Sequence, residues 1–362
     1  MRTITTFFLF LFLLTPITYA DEFSEAFGVD GLEEAVPHDV LETLRGITPD
    51  NAGGALETGF LSLLARAAKL ASGSLGEGLR AALGVTAIAA LCLAAGSLTE
   101  GTPTRYIQIA GVLGIAALTL TGVNSLMDAG RETLREMDQF AKVLMPALAA
   151  AGAAAGKPVS AVFRQTGTVV AANLLMTMYE RLLYPLLYVY AALVTFNAAM
   201  PRDMVKRLAG FCKWVFTGLL TLTLVIFTAY LTVGGAIAGQ GDTVAVKASK
   251  AALSGALPVV GGIIGDASET VLAGASVIKN AAGIFGLLAV LGIILAPCVS
   301  LAVRALAMKL GAALTGTVGN DALSGYADSL SNLYSMLMGM LFSAAFLLLV
   351  SIVSCILAGS SI

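Results

Sequence analysis

Residues 335–357 pass through Met336, Leu341, Phe346 and Val353 without a single charged side chain. The same holds for residues 81–98, 107–127, 182–199, 215–237 and 283–303. At about 1.5 Å of rise per residue, the longer of these runs measure roughly 30–35 Å as helices, the thickness of a bilayer's hydrocarbon. A water-soluble fold has no use for so many of them, because every domain must present a charged shell to solvent. That shell cannot be built here: of 362 residues, 57% are hydrophobic and 12% charged, against roughly 25% charged in soluble domains. A soluble enzyme is excluded. The chain reads as an all-α polytopic membrane protein with about six to eight transmembrane helices.

Charge and composition narrow the chemistry. Lys and Arg total 21 against 23 for Asp and Glu, so the concentrated cationic field that nucleic-acid binding requires is missing. His38 is the only histidine, which rules out a histidine metal cluster or a Ser-His-Asp triad within the membrane. Cys92, Cys212, Cys298 and Cys355 lie far apart without CxxC spacing. They read as small apolar side chains rather than as a disulfide framework or zinc site. No HExxH, GxSxG or pair of carboxylates within one span points to catalysis, so no catalytic residue, metal or cofactor is expected.

The N-terminus has the form of an export signal. Arg2 precedes an apolar run at 7–14, then Pro16 and the small-x-small sequence Thr18-Tyr19-Ala20. The run is too short to cross hydrocarbon as a helix. Residues 1–20 therefore read as a signal peptide, the competing reading being an uncleaved first anchor. Residues 21–78 follow as an exported acidic segment, carrying Glu22, Glu33 and Asp50 among others, and an interfacial helix. In the latter, Leu61, Leu64, Leu70 and Leu75 recur beside Arg66 and Lys69, as suits a helix lying on the membrane or packing on the bundle. A short helix is expected around residues 40–44.

Residues 79–200 form a first group of membrane helices. Within it, residues 128–142 carry seven charged side chains of mixed sign and read as a solvated amphipathic helix. Gly156-Lys157-Pro158 divides residues 143–178 into a hairpin or re-entrant pair. Arg164 is an ionisable group at membrane depth, a default functional candidate. Glu180 and Arg181 read as a loop end. Residues 201–213 hold Arg202, Lys206, Arg207 and Lys213 against Asp203 alone, which marks a cytoplasmic loop, with Trp214 at its interfacial edge. Residues 214–238 then cross outward and residues 283–358 hold the C-terminal membrane helices. Arg304 and Lys309 fall on the cytoplasmic side, while Arg131, Arg135 and Lys142 weakly oppose this orientation. Met336, Met338 and Met340 read as packing, since alternate positions do not share a helix face.

Residues 239–282 are the most informative stretch, an exported glycine-rich re-entrant or interfacial segment. Pro258, Gly261, Gly262 and Gly265 precede Asp266 and Glu269, whose spacing is that of a capping box opening a helix at Asp266. Lys279 and Asn280 follow. No Lys-Ser/Thr pair succeeds the last glycine, so the phosphate-cradling loop pattern fails. Two readings stand for these eight residues: close helix packing through small side chains, or a pore-lining or gating segment with Asp266, Glu269 and Lys279 as its polar lining.

With these residues in view, the chain resembles the stage III sporulation protein AE family of endospore-forming bacteria. The resemblance rests on the signal-like N-terminus, the order of spans, Leu257-Pro258-Val259-Val260-Gly261-Gly262, residues 266–270, Lys279-Asn280 and Gly283. It implies a multi-pass protein of the mother-cell membrane around the forespore. Its implied partners are the other membrane proteins of the stage III sporulation A operon, their ATPase and a forespore protein called Q. Together these would form a channel or feeding tube that supports the forespore after engulfment. The resemblance carries over no catalytic residue. A stand-alone secondary transporter or permease is the competing function.

Overall fold

The computed structural model describes residues 31–44, 47, 56–98, 104–200, 202–256, 261–317 and 319–357. The side chains of residues 104, 120–121, 235–240 and 243–274 lie outside that description, as do the whole of the expected signal peptide and Pro258. Two short helices, α1 (Gly31–Glu34) and α2 (His38–Thr43), precede long ones. These are α3 (Leu56–Leu98), α4 (Thr104–Ala154), α5 (Pro158–Met178), α6 (Tyr184–Ala199), α7 (Asp203–Ala256), α8 (Gly261–Thr317) and α9 (Asp321–Leu357). The described residues contain no strand. Six helical rods, with α5 and α6 counting as one, are long and apolar enough to cross a membrane, at the lower edge of the expected number.

The rods alternate in direction. α3 and α4 run antiparallel, with Gly84 against Leu118, Gly114 against Ile88, and the Cys92 thiol 3.6 Å from the Ile107 carbonyl. α8 and α9 are antiparallel too: the Ser331 hydroxyl donates to the Ala305 carbonyl at 2.8 Å, and Ile356 packs on Gly283. α4 runs parallel to α9, which puts Gly111 beside Leu323 and Gly130 beside Leu337. The reversal between α4 and α5 turns on Gly156 (φ 81°), a conformation that suits glycine because no Cβ meets the following carbonyl. Pro158 then opens α5, where its missing amide proton is no loss. The hairpin expected at Gly156 is thus present.

Other boundaries differ from the sequence reading. Residues 56–79 are not a separate surface helix but the first half of the 43-residue α3, packed on the bundle with Gly59 against Leu288 and Gly78 against Val303. The charged stretch 128–142 is helical but is continuous with its apolar neighbours in the 51-residue α4. Glu180 and Arg181 do not mark a loop end. They sit in a single π-helical turn, Tyr179–Leu183, that joins α5 to α6 without a break. The wide turn leaves Glu180, Arg181 and Leu182 facing outward in succession while Tyr179 and Leu183 stay buried. A charged pair with free space beside it therefore does not need the helix to end. The helix after Pro258 begins at Gly261 rather than at Asp266. Where little water is available, backbone groups bond within the helix even through glycines.

The lengths matter. α4, α7 and α8 have 51, 54 and 57 residues, about 77–86 Å each at 1.5 Å per residue, more than twice the hydrocarbon thickness. Depth along them can be compared through their contacts. Gly130 of α4 meets Leu337, and Leu144 meets Gly286 beside Ile352. The charged part of α4 therefore runs alongside the charge-free part of α9. Its exposed side chains pair along the helix: Arg131 with Asp128 at 3.6 Å, Arg135 with Glu132 at 3.5 Å, Lys142 with Asp138 at 2.6 Å. The opposite face of the same stretch, with Met127, Leu134, Phe140 and Leu144, is core.

α1 and α2 pack on α3, on α8 and on Val143 of α4, leaving the charged face uncovered. Leu32, Val36, Val40 and Leu44 are buried, Val40 reaches Gly292 at the centre of an apolar span, and Val143 lies against Gly31. Arg66 of α3 pairs with the Asp39 carboxylate and also donates to the Thr43 hydroxyl at 3.1 Å. The short helix expected at 40–44 is present two residues earlier. Met336 and Met340 are buried in the core and Met338 packs against it, as expected for filler. Cys212, Cys298 and Cys355 are buried apolar thiols, and Trp214 is 71% exposed.

Candidate functional site

Hydrogen bonds between helices tie the rod formed by α5 and α6 to α9 along its length. Arg164 Nε donates to Ser354 Oγ at 2.9 Å and Thr168 Oγ1 to Ser351 Oγ at 2.9 Å. Tyr179 and Ser343 hydroxyls share a 2.6 Å bond, and the Thr195 hydroxyl and Tyr326 phenol one of 3.0 Å. The rising numbers on one helix meet falling numbers on the other, as antiparallel packing demands. In lipid there is little hydrophobic gain from pressing one apolar helix against another, so such bonds and close contacts of small residues carry the packing. Ser343, Ser351 and Ser354 share one face of α9, eight and eleven residues apart. That helical spacing is present in the sequence, but nothing local to it says which helix the serines will face.

The ladder ends in a cationic corner. Here the Gly156 turn, the first turns of α5, residues 279–280 of α8 and the end of α9 converge. Lys279 is 2% exposed and Arg164 9%. Both line a small cavity with Lys157, Ser160 and Cys355. Asp242 of α7, also buried, does not face into this set. Its carboxylate accepts from the Val159 amide at 2.8 Å and the Ser160 amide at 3.2 Å, capping α5 from another helix. Bonds of this kind are stronger than neutral ones.

Of the eight residues singled out in the glycine-rich segment, Lys279 and Asn280 are the ones whose side chains are described. Lys279 belongs to the corner, and Asn280 has a buried Oδ1 without a hydrogen-bond partner. Gly261, Gly262, Gly265, Asp266 and Glu269 lie in the first turns of α8, with side chains outside the description, and Pro258 lies outside it altogether. The structure joins Lys279 to Arg164, a residue 115 positions earlier. Asp242 and Ser354 were not singled out by sequence. Among the described residues no group of three or more His, Cys, Asp or Glu side chains could hold a metal ion.

Six alternating apolar rods, cross-tied within the membrane and without an assembled catalytic group among the described residues, define a multi-pass helical membrane protein. Residues 82–359 match the family described as Stage III sporulation protein AE, and the chain belongs to that family. It is 27% identical over 202 residues to the Stage III sporulation protein AE of Bacillus subtilis (strain 168), a match covering 56% of this chain and 51% of that protein. The chain thus spans about half the length of the curated relative it matches. No solved structure matches.

Proposed function

We propose that this sporulation membrane protein is a non-enzymatic component of a channel-like, transenvelope assembly in the mother-cell membrane around the forespore, required for forespore development after engulfment. Its partners in this reading are the other membrane proteins of the stage III sporulation A operon, their ATPase and the forespore Q protein. Family membership supports the setting. The observation that carries the assembly reading is the charged flank of α4. Asp128, Glu132, Arg135 and Lys142 stand exposed beside the charge-free part of α9. Charge at that depth is expensive against lipid, by a few kcal/mol per residue even on the gentlest scale. It is stable against water in a conduit or against a partner's polar surface. A lone transporter would turn such groups inward around a midplane substrate site, whereas these face outward.

Deletion of the gene is expected to arrest development after engulfment while leaving solute uptake by vegetative cells unchanged. A vegetative uptake defect with normal spores would establish the transporter instead. In the full-length protein, replacing both Glu132 and Arg135 by Leu should leave insertion and folding intact but abolish co-purification with the operon's other membrane proteins. Unchanged co-purification would remove the role given to this flank.

A further inference from the structure

Two buried cations of this corner, Arg164 and Lys279, have no carboxylate bonded to them among the described residues. Arg164 uses Nε on Ser354, but its Nη1 is fully buried with no partner. Lys279 is buried beside it. Among the described residues no aspartate or glutamate lines the cavity they share, and the Asp242 carboxylate bonds to the two amides that open α5 rather than to either cation. Cys355, the remaining polarisable wall, is a thiol and a weak partner. Burying cations without a counter-charge costs several kcal/mol per ion. A water molecule would satisfy a donor here but not the charge.

The free space between these groups is about 10 Å³, enough for one water-sized body. A whole phosphate is too large for it, while a halide or a single phosphate oxygen is of the right order. The corner lies at the α4–α5 turn and near the end of α9, and Val159 and Val162 on α5 are exposed, so a lipid beside α5 could bring an anionic headgroup to it. We infer that Arg164 and Lys279, with the Ser160 hydroxyl, form a site for one small anionic centre. Its source is either a free monatomic anion such as chloride or one phosphate oxygen of an anionic lipid. The bound charge would lock the α4–α5 hairpin to α8 and α9. This holds whether or not the protein works in an assembly.

The test uses the full chain in lipid nanodiscs, with unfolding followed by a thiol-reactive fluorophore that reports exposure of Cys212, Cys298 and Cys355. In phosphatidylcholine discs, sodium gluconate is replaced by sodium chloride at constant ionic strength. In parallel, phosphatidylglycerol is added to discs held in gluconate. A rise in the unfolding midpoint on the order of 5 °C is expected for near-saturating occupancy. A rise with chloride assigns the free anion, and a rise with phosphatidylglycerol in gluconate assigns the lipid. Lys279→Met and Arg164→Gln should each lose the response. A wild-type midpoint indifferent to both additions overturns the site without reference to any variant. So does a Lys279→Met protein that responds as wild type does.

Discussion

At the scale of single residues, stability in this bundle rests on a few polar groups surrounded by hydrocarbon. Tyr179 and Ser343 illustrate an asymmetry that can be measured. In Tyr179→Phe, Ser343 keeps its bond to the Met340 carbonyl at 2.7 Å, so the loss should be about 0.5–1 kcal/mol. In Ser343→Ala, the buried phenol keeps only a 3.3 Å approach to the same carbonyl. That substitution should cost more, about 1–2 kcal/mol. Thermal unfolding of the two variants in one detergent gives the order directly. Asp242→Ala removes the cap that α7 supplies to α5 and should cost about 1–2 kcal/mol by the same measurement. The singling-out of Lys279 in the sequence was possible because a lysine amid small apolar residues is conspicuous. Its neighbour Arg164 and the latter's partner Ser354, 190 positions further on, were not legible together. No local pattern encodes which two helices will touch.

At the scale of elements, the apolar runs were plain because the lack of charge along a helix is a one-dimensional property. Their ends were harder. Charges at 128–142 and at 180–181 look like exits from the membrane, yet a helix can carry them on its outer face and continue, as α4 and the π turn do. The π turn offers a sharp check. It accommodates one residue more than an α-helix would, so deleting Leu182 should convert it to α-helix and leave α5 and α6 in register. Deleting Val189 within α6 should instead rotate the rest of that helix by about 100°, turning Tyr190 and Val194 out of the core. Yield of monodisperse protein in detergent should be near wild type for the first deletion and collapse for the second. Close helix approach is equally testable. Gly283→Leu drives a side chain into Ile356 of α9 and should cost at least about 1–3 kcal/mol through overpacking. Gly210, with open space at its missing Cβ, should accept Ala with little effect.

At the scale of the whole molecule, alternation of the rods puts the basic stretch 201–213 at one end and the reversal between α7 and α8 at the other. The positive-inside rule would set the basic stretch in the cytoplasm, and that reversal is then expected to face outward. Cysteines placed at Ser254 and Ser268 in a background lacking the native four should react with an impermeant thiol reagent in intact cells. Labelling only after the membrane is opened would invert the orientation. The sequence disclosed the class of molecule and bounded the count of rods because the solvent of each segment is written in its composition. It did not disclose that charge-rich and charge-free segments would end up side by side, since that depends on how seven long helices slide past one another before they lock.

The flank carrying Glu132 and Arg135 has a consequence for the cell that makes it. If the proposed partners cover it, a copy stranded without them would draw water and lipid phosphates toward these charges, thinning the bilayer locally and presenting an attractive target to membrane-bound proteases. Synthesis in step with the proposed partners would then be a condition of survival for this polypeptide, and its half-life should shorten when any one of them is withheld.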